Sequence, residues 1–357
     1  MSKKVLLVEH WGACDKYGEP IGHTLKVIEE YSELLKKTFK ISVAMPEHMI
    51  NKIETGIYEN IHTLPYAVCE IQPKGLGEKI TDKLKVFSNI KQVRSLKNYD
   101  IVWYVRADFF LLFYLLFCPK RKKQKIYTLI YHNEYGSGLA GRIFHSIYQL
   151  AVKKFDGIIY TQRDMRIPNN HIYYMPDYLY SEEKYGKYRN LKKEEKAVCL
   201  GTINSDKDIE GLIEAFNENG YLLEIAGRFL DEERFIRLKA KANSNIKIEN
   251  KILSYEEYYT HMGSAKYSIM PYQMGAYSGR TSGVLQESIF VGSIPIAPKL
   301  LLEKNHMPGY GYKESVCELK KIVWSESEDC DKKEQMDKML MNYNQKIVGD
   351  NLTEFLG

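Results

Sequence analysis

Residues 268–299 read SIMPYQMGAYSGRTSGVLQESIFVGSIPIAPK. The approach to this stretch, 267–270, is short, apolar at alternate positions and stopped by Pro271, which predicts a buried strand. A loop carrying Gly275, Ser278, Gly279, Thr281, Ser282 and Gly283 follows. A helix is expected from about 283 to 291, ended by Gly292 at the C′ position. A second strand is expected at 293–297, closed by Pro298. Strand, Gly/Ser/Thr loop and helix start together make an anion site, because unpaired N–H groups and the positive end of the helix dipole face one point. Arg280 adds a fixed cation suited to phosphate. By the 3–4 spacing Arg280, Gly283 and Glu287 share a face, and Val284, Leu285, Ser288 and Ile289 turn mainly to the sheet. Glu287 then stands where a carboxylate can accept from sugar hydroxyls. A plain helix-capping loop with a solvated Glu287 fits the same string.

The chain has 357 residues, more than one core usually serves, so two domains are expected. It is 44% hydrophobic and 27% charged, the balance of a globular enzyme. The net charge of +5 is mild and does not indicate nucleic acid as a partner. Six cysteines are widely spaced with no C-x-x-C pair, which reads as free thiols in a cytoplasmic protein. The start, MSKKVLLVEHWG, is a first strand and not a signal peptide. No run of about 20 apolar residues is present to span a bilayer.

Strand and helix patterns alternate from end to end. Strands are expected at 4–8, 40–44, 61–64, 100–105, 126–130, 156–160 and 172–175, and helices near 25–35, 80–96, 108–118 and 139–153. That is a doubly wound α/β domain over 1–180. SEEKYGKYRNLKKEEK (181–196) is polar and nearly free of aliphatic residues, so an interdomain linker is expected there. A second α/β alternation covers 197–335. It has strands at 197–201, 221–226 and 246–248, with helices at 208–217, 231–242 and 254–262. Residues 318–357 look helical.

In this order, several pieces resemble retaining glycosyltransferase family 4, of GT-B fold. LIYHNEYG (129–136) resembles that family's strand ending in histidine, and KKFDGIIYTQRDMR (153–166) its "aD-x-ii-x-S-x-x-x-r" segment. CLGTINSDKDIEGLIEAF (199–216) resembles "vGrl-x-x-x-Kg-x-x-x-Li-x-Af", and LEIAGRF (223–229) resembles "l-x-iaGrg". SIMPY and SGVLQESIFVGSIPIA resemble the closing "PS…E-x-x-x-G-x-PviA" block. The resemblance implies two Rossmann-like domains facing a cleft, acceptor on the N-terminal side (1–180) and nucleotide sugar on the C-terminal side (197–335). It also implies that the closing helix, 336–357, crosses back to the first domain. The implied activity is retaining, metal-independent transfer from a UDP- or GDP-type sugar, a co-substrate rather than a cofactor, to a glycan or lipid-linked acceptor. Surface polysaccharide or glycolipid synthesis is the implied setting. The rivals are a non-catalytic glycosyltransferase-like scaffold and a GT-B nucleotide-sugar epimerase.

Carried onto this chain, Glu287 matches the ribose-binding second glutamate of the family's E-x7-E motif. The first glutamate falls at Gly279 and is missing. Lys207 matches the lysine that contacts the diphosphate, while the matching arginine falls at Thr202. Arg228 and Arg280 are the candidate replacements for that cation, and Thr281 with the backbone of Ser282, Gly283 and Val284 completes the expected diphosphate cradle. His132 matches the histidine at the reaction centre. Gly12, Gly22 and His23 lie in the first loop, which in the family approaches phosphate and acceptor, although a tight β–α turn needs the same glycines. Asp206-Lys207-Asp208 spells D-x-D, but it lies within the GT-B signature loop, and no metal is expected.

One further stretch is expected at a membrane surface on the inner face of the cell. FFLLFYLLF (109–117) is followed by Lys120, Arg121, Lys122, Lys123 and Lys125. Nine apolar residues cannot span a bilayer but can sit against one. A core helix and a solvated loop are the plainer alternative.

Overall fold

The computed structural model describes residues 2–15, 17–21, 24–69, 75–118, 121, 123–131, 138–273, 282–321 and 326–357. The chain divides into two compact units. The first is Met1–Thr161 with Met165–Pro176 and Val348–Gly357; the second is Gln162–Asp164 with Asp177–Ile347.

The first unit is built on a seven-stranded, all-parallel sheet. From one edge its strands are Ile61–Leu64, Lys40–Pro46, Lys4–Val8, Ile101–Tyr104, Lys125–Ile130, Gly157–Tyr160 and Ile172–Tyr174. Continuous apolar runs such as VLLV and IVWY are covered on both faces, as parallel strands require. The chain walks outward from Lys4–Val8 and then returns to its other side with Ile101–Tyr104. These two central strands therefore flank a switch point, where loops at the carboxyl ends part and leave room for a ligand.

The second unit repeats the plan with six parallel strands in the order Ile246–Asn250, Leu222–Gly227, Glu194–Leu200, Ala265–Ile269, Ile294–Pro298 and Tyr310–Tyr312. Its switch point lies between Glu194–Leu200 and Ala265–Ile269. The helix Ile209–Asn219 follows the first of these strands. Its N-cap Asp208 accepts from Gly211 N at 2.9 Å, and it ends at Gly220 in the left-handed conformation.

Two expectations are corrected. Residues 181–196 are not an open linker: they form the helix Glu182–Arg189 and the start of the strand Glu194–Leu200. Tyr185 of that helix is fully buried and its ring lies 5.1 Å from that of Phe290. Two tyrosines three apart, Tyr185 and Tyr188, anchor with Gly186 the buried side of a helix that is otherwise charged, so composition concealed it. Residues 336–357, expected as one closing helix, belong to two helices, Glu326–Tyr343 and Gln345–Leu356. Between them, Tyr180 N donates to Tyr343 O and Gln345 N to Tyr180 O, fixing the break. Val348–Gly357 belongs to the first unit, where the Phe355 ring stacks on His171 at 4.1 Å.

Candidate functional site

At the second unit's switch point two loops are tied together. After the strand Glu194–Leu200 the chain turns through Gly201 at φ +90° and reaches Lys207, which is 6% exposed. The Lys207 ammonium donates back to Leu200 O at 2.9 Å. Burial lowers its pKa, and the neighbouring Cys199 opposes that shift. Across the gap, Asp208 N donates to Pro271 O at 2.7 Å and Gln273 N to Asp206 O at 2.8 Å. Tyr272, bridged to Lys207 through the backbone, shares a 2.8 Å hydrogen bond with Ser282 Oγ. Lys207 and the start of the helix Gly283–Phe290 are thereby drawn to one crossover.

Ser282 is the N-cap of that helix, in extended conformation. The N–H groups of Gly283 and Val284 lie in the first turn, where a helix supplies no acceptor of its own. Gly283 is demanded by space: a Cβ there would stand 2.1 Å from Tyr178 Cε2. One turn on, Glu287 is 7% exposed, so it is not the solvated helix residue of the plainer reading. Its Oε1 accepts from the Tyr259 hydroxyl at 2.7 Å and its Oε2 from the Tyr258 hydroxyl at 3.0 Å. Burial first, and then the charge of Glu287, push both phenols well above their ordinary pKa, so they remain donors.

No protein-family model matches the sequence, and no curated protein matches it either. Solved structures do. Sucrose-phosphate synthase from Thermosynechococcus elongatus superposes with a TM-score of 0.68 at 11% identity, covering 99% of this chain and 98% of that one. A UDP-forming α,α-trehalose-phosphate synthase from Burkholderia xenovorans, solved with glucose-6-phosphate, gives 0.67 at 9% identity over 99% and 100%. HepE from Anabaena, solved with UDP and glucose, gives 0.64 at 10% identity over 99% and 99%. These neighbours are GT-B glycosyltransferases. The chain has the GT-B fold.

Within this GT-B fold the remaining expected residues are distributed as follows. Arg228 follows the strand Leu222–Gly227, its side chain exposed and its carbonyl accepting from Ile203 N at 2.9 Å. Gly12 has φ +62°, and a Cβ there would stand 2.4 Å from Pro46 Cγ, so this first-loop turn accepts only glycine. Gly22, His23, His132, Arg280 and Thr281 lie outside the described residues, as does Gly279. Among the described residues no group of His, Cys, Asp and Glu could hold a metal ion, and no helix is long and apolar enough to cross a membrane.

The first unit of the GT-B fold contains a polar cluster that sequence reading missed. Glu9 and His10 follow the strand Lys4–Val8, and Asp108 follows Ile101–Tyr104, so all three stand at that unit's switch point. Glu9 and His10 are buried. Glu9 Oε1 accepts from Trp11 N at 2.9 Å and Gly12 N at 3.0 Å, shaping the first loop. His10 Nε2 is hydrogen-bonded to Asp108, whose other oxygen caps the helix Phe109–Phe117 through Phe110 N (2.7 Å) and Leu111 N (3.0 Å). Burial alone would raise the Asp108 carboxyl; His10, Arg106 and the Leu111 N–H together hold it below its usual range. The Arg106 guanidinium sits over the Trp11 ring, 5.0 Å from its centroid. The available signal was positional: acidic and imidazole side chains placed directly after an apolar strand, and an aspartate directly before an apolar helix.

Proposed function

We propose that this chain is a glycosyltransferase that takes a hexose from a UDP- or GDP-type sugar and passes it to a glycan or lipid-linked acceptor. On this reading the reaction is retaining and needs no metal. The observation that carries it is Glu287: a buried carboxylate pinned by two phenols, behind a helix N-terminus and beside a loop holding buried Lys207. A diphosphate carries its charge where free N–H groups and an ammonium can meet it, and these stabilise the departing group as the sugar leaves. A ribose one turn away would offer its hydroxyls to the Glu287 carboxylate. The fold supports the same reading, since HepE was solved with UDP and glucose. In the first unit, Glu9, His10 and Asp108 are placed to orient an acceptor hydroxyl at the switch point. The two-unit assignment, with donor on the second unit and acceptor on the first, belongs to this proposal.

The test is a thermal-shift screen of nucleotide sugars, followed by donor hydrolysis and transfer assays with and without EDTA. A UDP- or GDP-sugar is expected to raise the melting temperature, and to go on raising it logarithmically as its concentration climbs above Kd. Transfer is expected to persist in EDTA with the anomeric configuration kept. Failure of every donor to bind would overturn the reading. Donor binding with neither hydrolysis nor transfer would move the chain to the non-catalytic alternative.

A further inference from the structure

Three neighbouring helices of the first unit, Leu76–Ser95, Phe109–Phe117 and Gly138–Ala151, leave an apolar face in water. On the first of them Ile80, Leu84 and Phe87 are 50%, 66% and 36% exposed. Their spacing of four and three makes one stripe. Lys83 and Lys91 fall in that stripe by the same spacing, and both are exposed, while Glu78 and Asp82 point away from it. On the middle helix Phe113 and Phe117 are exposed, with their rings 4.7 Å apart. On the third helix Leu139 and Ile143, one turn apart, are 76% and 51% exposed beside exposed Arg142, and the helix carries no acid at all. Ring contacts join the three helices: Phe87 to Tyr114 at 5.3 Å, and Phe109 to Phe144 at 4.5 Å. The loop leaving the middle helix bears Arg121 and Lys123, and Lys125 opens the strand that follows.

We infer that this face docks on an anionic lipid bilayer. The observation is the juxtaposition of aliphatic and phenylalanine side chains with cations on the two flanking helices and after the middle one, and no acid among them on the outward stripes. Exposed apolar side chains gathered on neighbouring helices and flanked by cations mark an interaction surface. A protein partner covering it would leave Lys83, Lys91 and Arg142 desolvated unless it carried matching acids. A bilayer of anionic lipid meets both demands at once, because its acyl boundary takes the rings while its headgroups take the cations. The membrane contact expected at 109–125 thereby becomes a three-helix platform. This inference deepens the proposed function by placing an acceptor at the lipid surface, yet it is tested without donor or acceptor, so the two can fail separately.

The experiment is co-sedimentation of the full chain with vesicles of phosphatidylcholine alone and of phosphatidylcholine with phosphatidylglycerol, at low and high salt. Size-exclusion light scattering and a nucleotide-sugar thermal shift run in parallel. The wild-type chain is expected to bind the anionic vesicles at low salt and to bind the neutral ones at least tenfold more weakly. Lys83→Gln and Lys91→Gln are each expected to lower partition about fivefold. Phe113→Ser with Phe117→Ser is expected to abolish binding, while the circular dichroism and the donor-induced shift stay unchanged. Both phenylalanines are exposed, so these changes spare the core. Equal binding to neutral and anionic vesicles, no binding at low salt, or a dimer dissolved by the same two substitutions would overturn the inference.

Discussion

Replacing Tyr259 with Phe removes one oxygen and keeps the ring. The packing of that ring against Tyr185, Tyr188 and Tyr258, at centroid distances of 5.3, 5.4 and 5.2 Å, is retained. What is lost is the 2.7 Å bond to Glu287 Oε1, inside a site that water does not reach freely. A hydrogen bond to a charged acceptor is worth about 1.5–3 kcal/mol, and the buried oxygen loses its donor outright. For a unit of this size each kcal/mol moves the melting temperature by about 2–4 °C, so the transition of the second unit is expected to fall by roughly 3–12 °C. Tyr258→Phe removes the longer 3.0 Å bond from a half-buried ring and is expected to cost about 1 kcal/mol. Because both phenols serve one carboxylate, the double variant is expected to depart from additivity by at least about 0.5 kcal/mol. If Glu287 also receives a ribose, Tyr259→Phe frees it to turn, and the calorimetric Kd for a UDP- or GDP-sugar rises about five- to tenfold. A Tyr259→Phe chain that melts within a degree of the parent and binds donor equally well would refute the whole argument. A lower melting temperature with an unchanged Kd would leave Glu287 as a structural anchor only.

Lys207→Met keeps the stem and removes the ammonium. Donor affinity is expected to fall at least about tenfold by calorimetry, with little loss of melting temperature because the buried charge is itself costly; an unchanged Kd would reduce Lys207 to a strut on Leu200 O. Gly283→Ala drives a methyl into the Tyr178 ring and is expected to cost about 1–3 kcal/mol in urea unfolding. In a Tyr178→Ala background most of that penalty should disappear. Lys193 is lowered to about 7 by burial, then by Arg189 and Lys333. Its folded value lies below its unfolded one, so between pH 7 and the ordinary lysine range the unfolded chain binds more protons. Stability therefore rises with pH from about 7 to 10.5, and Lys193→Met should flatten that slope in urea titrations.

The alternation of apolar runs and polar helices was legible because parallel strands buried on both faces leave a period that single residues cannot hide. Lys4–Val8 and Ile61–Leu64 fall where the pattern puts them. The helix Gly283–Phe290 was legible from its Gly283 start and Gly292 stop. Glu182–Arg189 was not, because its burial rests on two tyrosines among charges. Tyr310–Tyr312 escaped too: three residues at a sheet edge carry no period. Glu287 could be picked out by helical spacing, but Tyr258 and Tyr259 could not, since they come from another helix, about thirty residues earlier. The His10–Asp108 pair is joined across 98 positions, and only the strand order brings it together.

Each unit thus sets a carboxylate at its switch point, buried in Glu287 and partly buried in Asp108, and the partners chosen differ in kind. Glu287 is held by phenols whose pKa burial has pushed up, so throughout the physiological range they donate and never take a proton. The hydroxyls that hold it are therefore fixed as donors, which suits a site that must present one arrangement at every turnover. Asp108 is held by the imidazole of His10, a ring whose nitrogens can donate or accept. It also caps a helix and lies below the usual carboxylate range. A carboxylate held by fixed donors fits binding; a carboxylate paired with an imidazole that can donate or accept fits the orientation of a reacting hydroxyl. On the proposed function this asymmetry is why the phenol-held site belongs to the donor and the imidazole-held site to the acceptor.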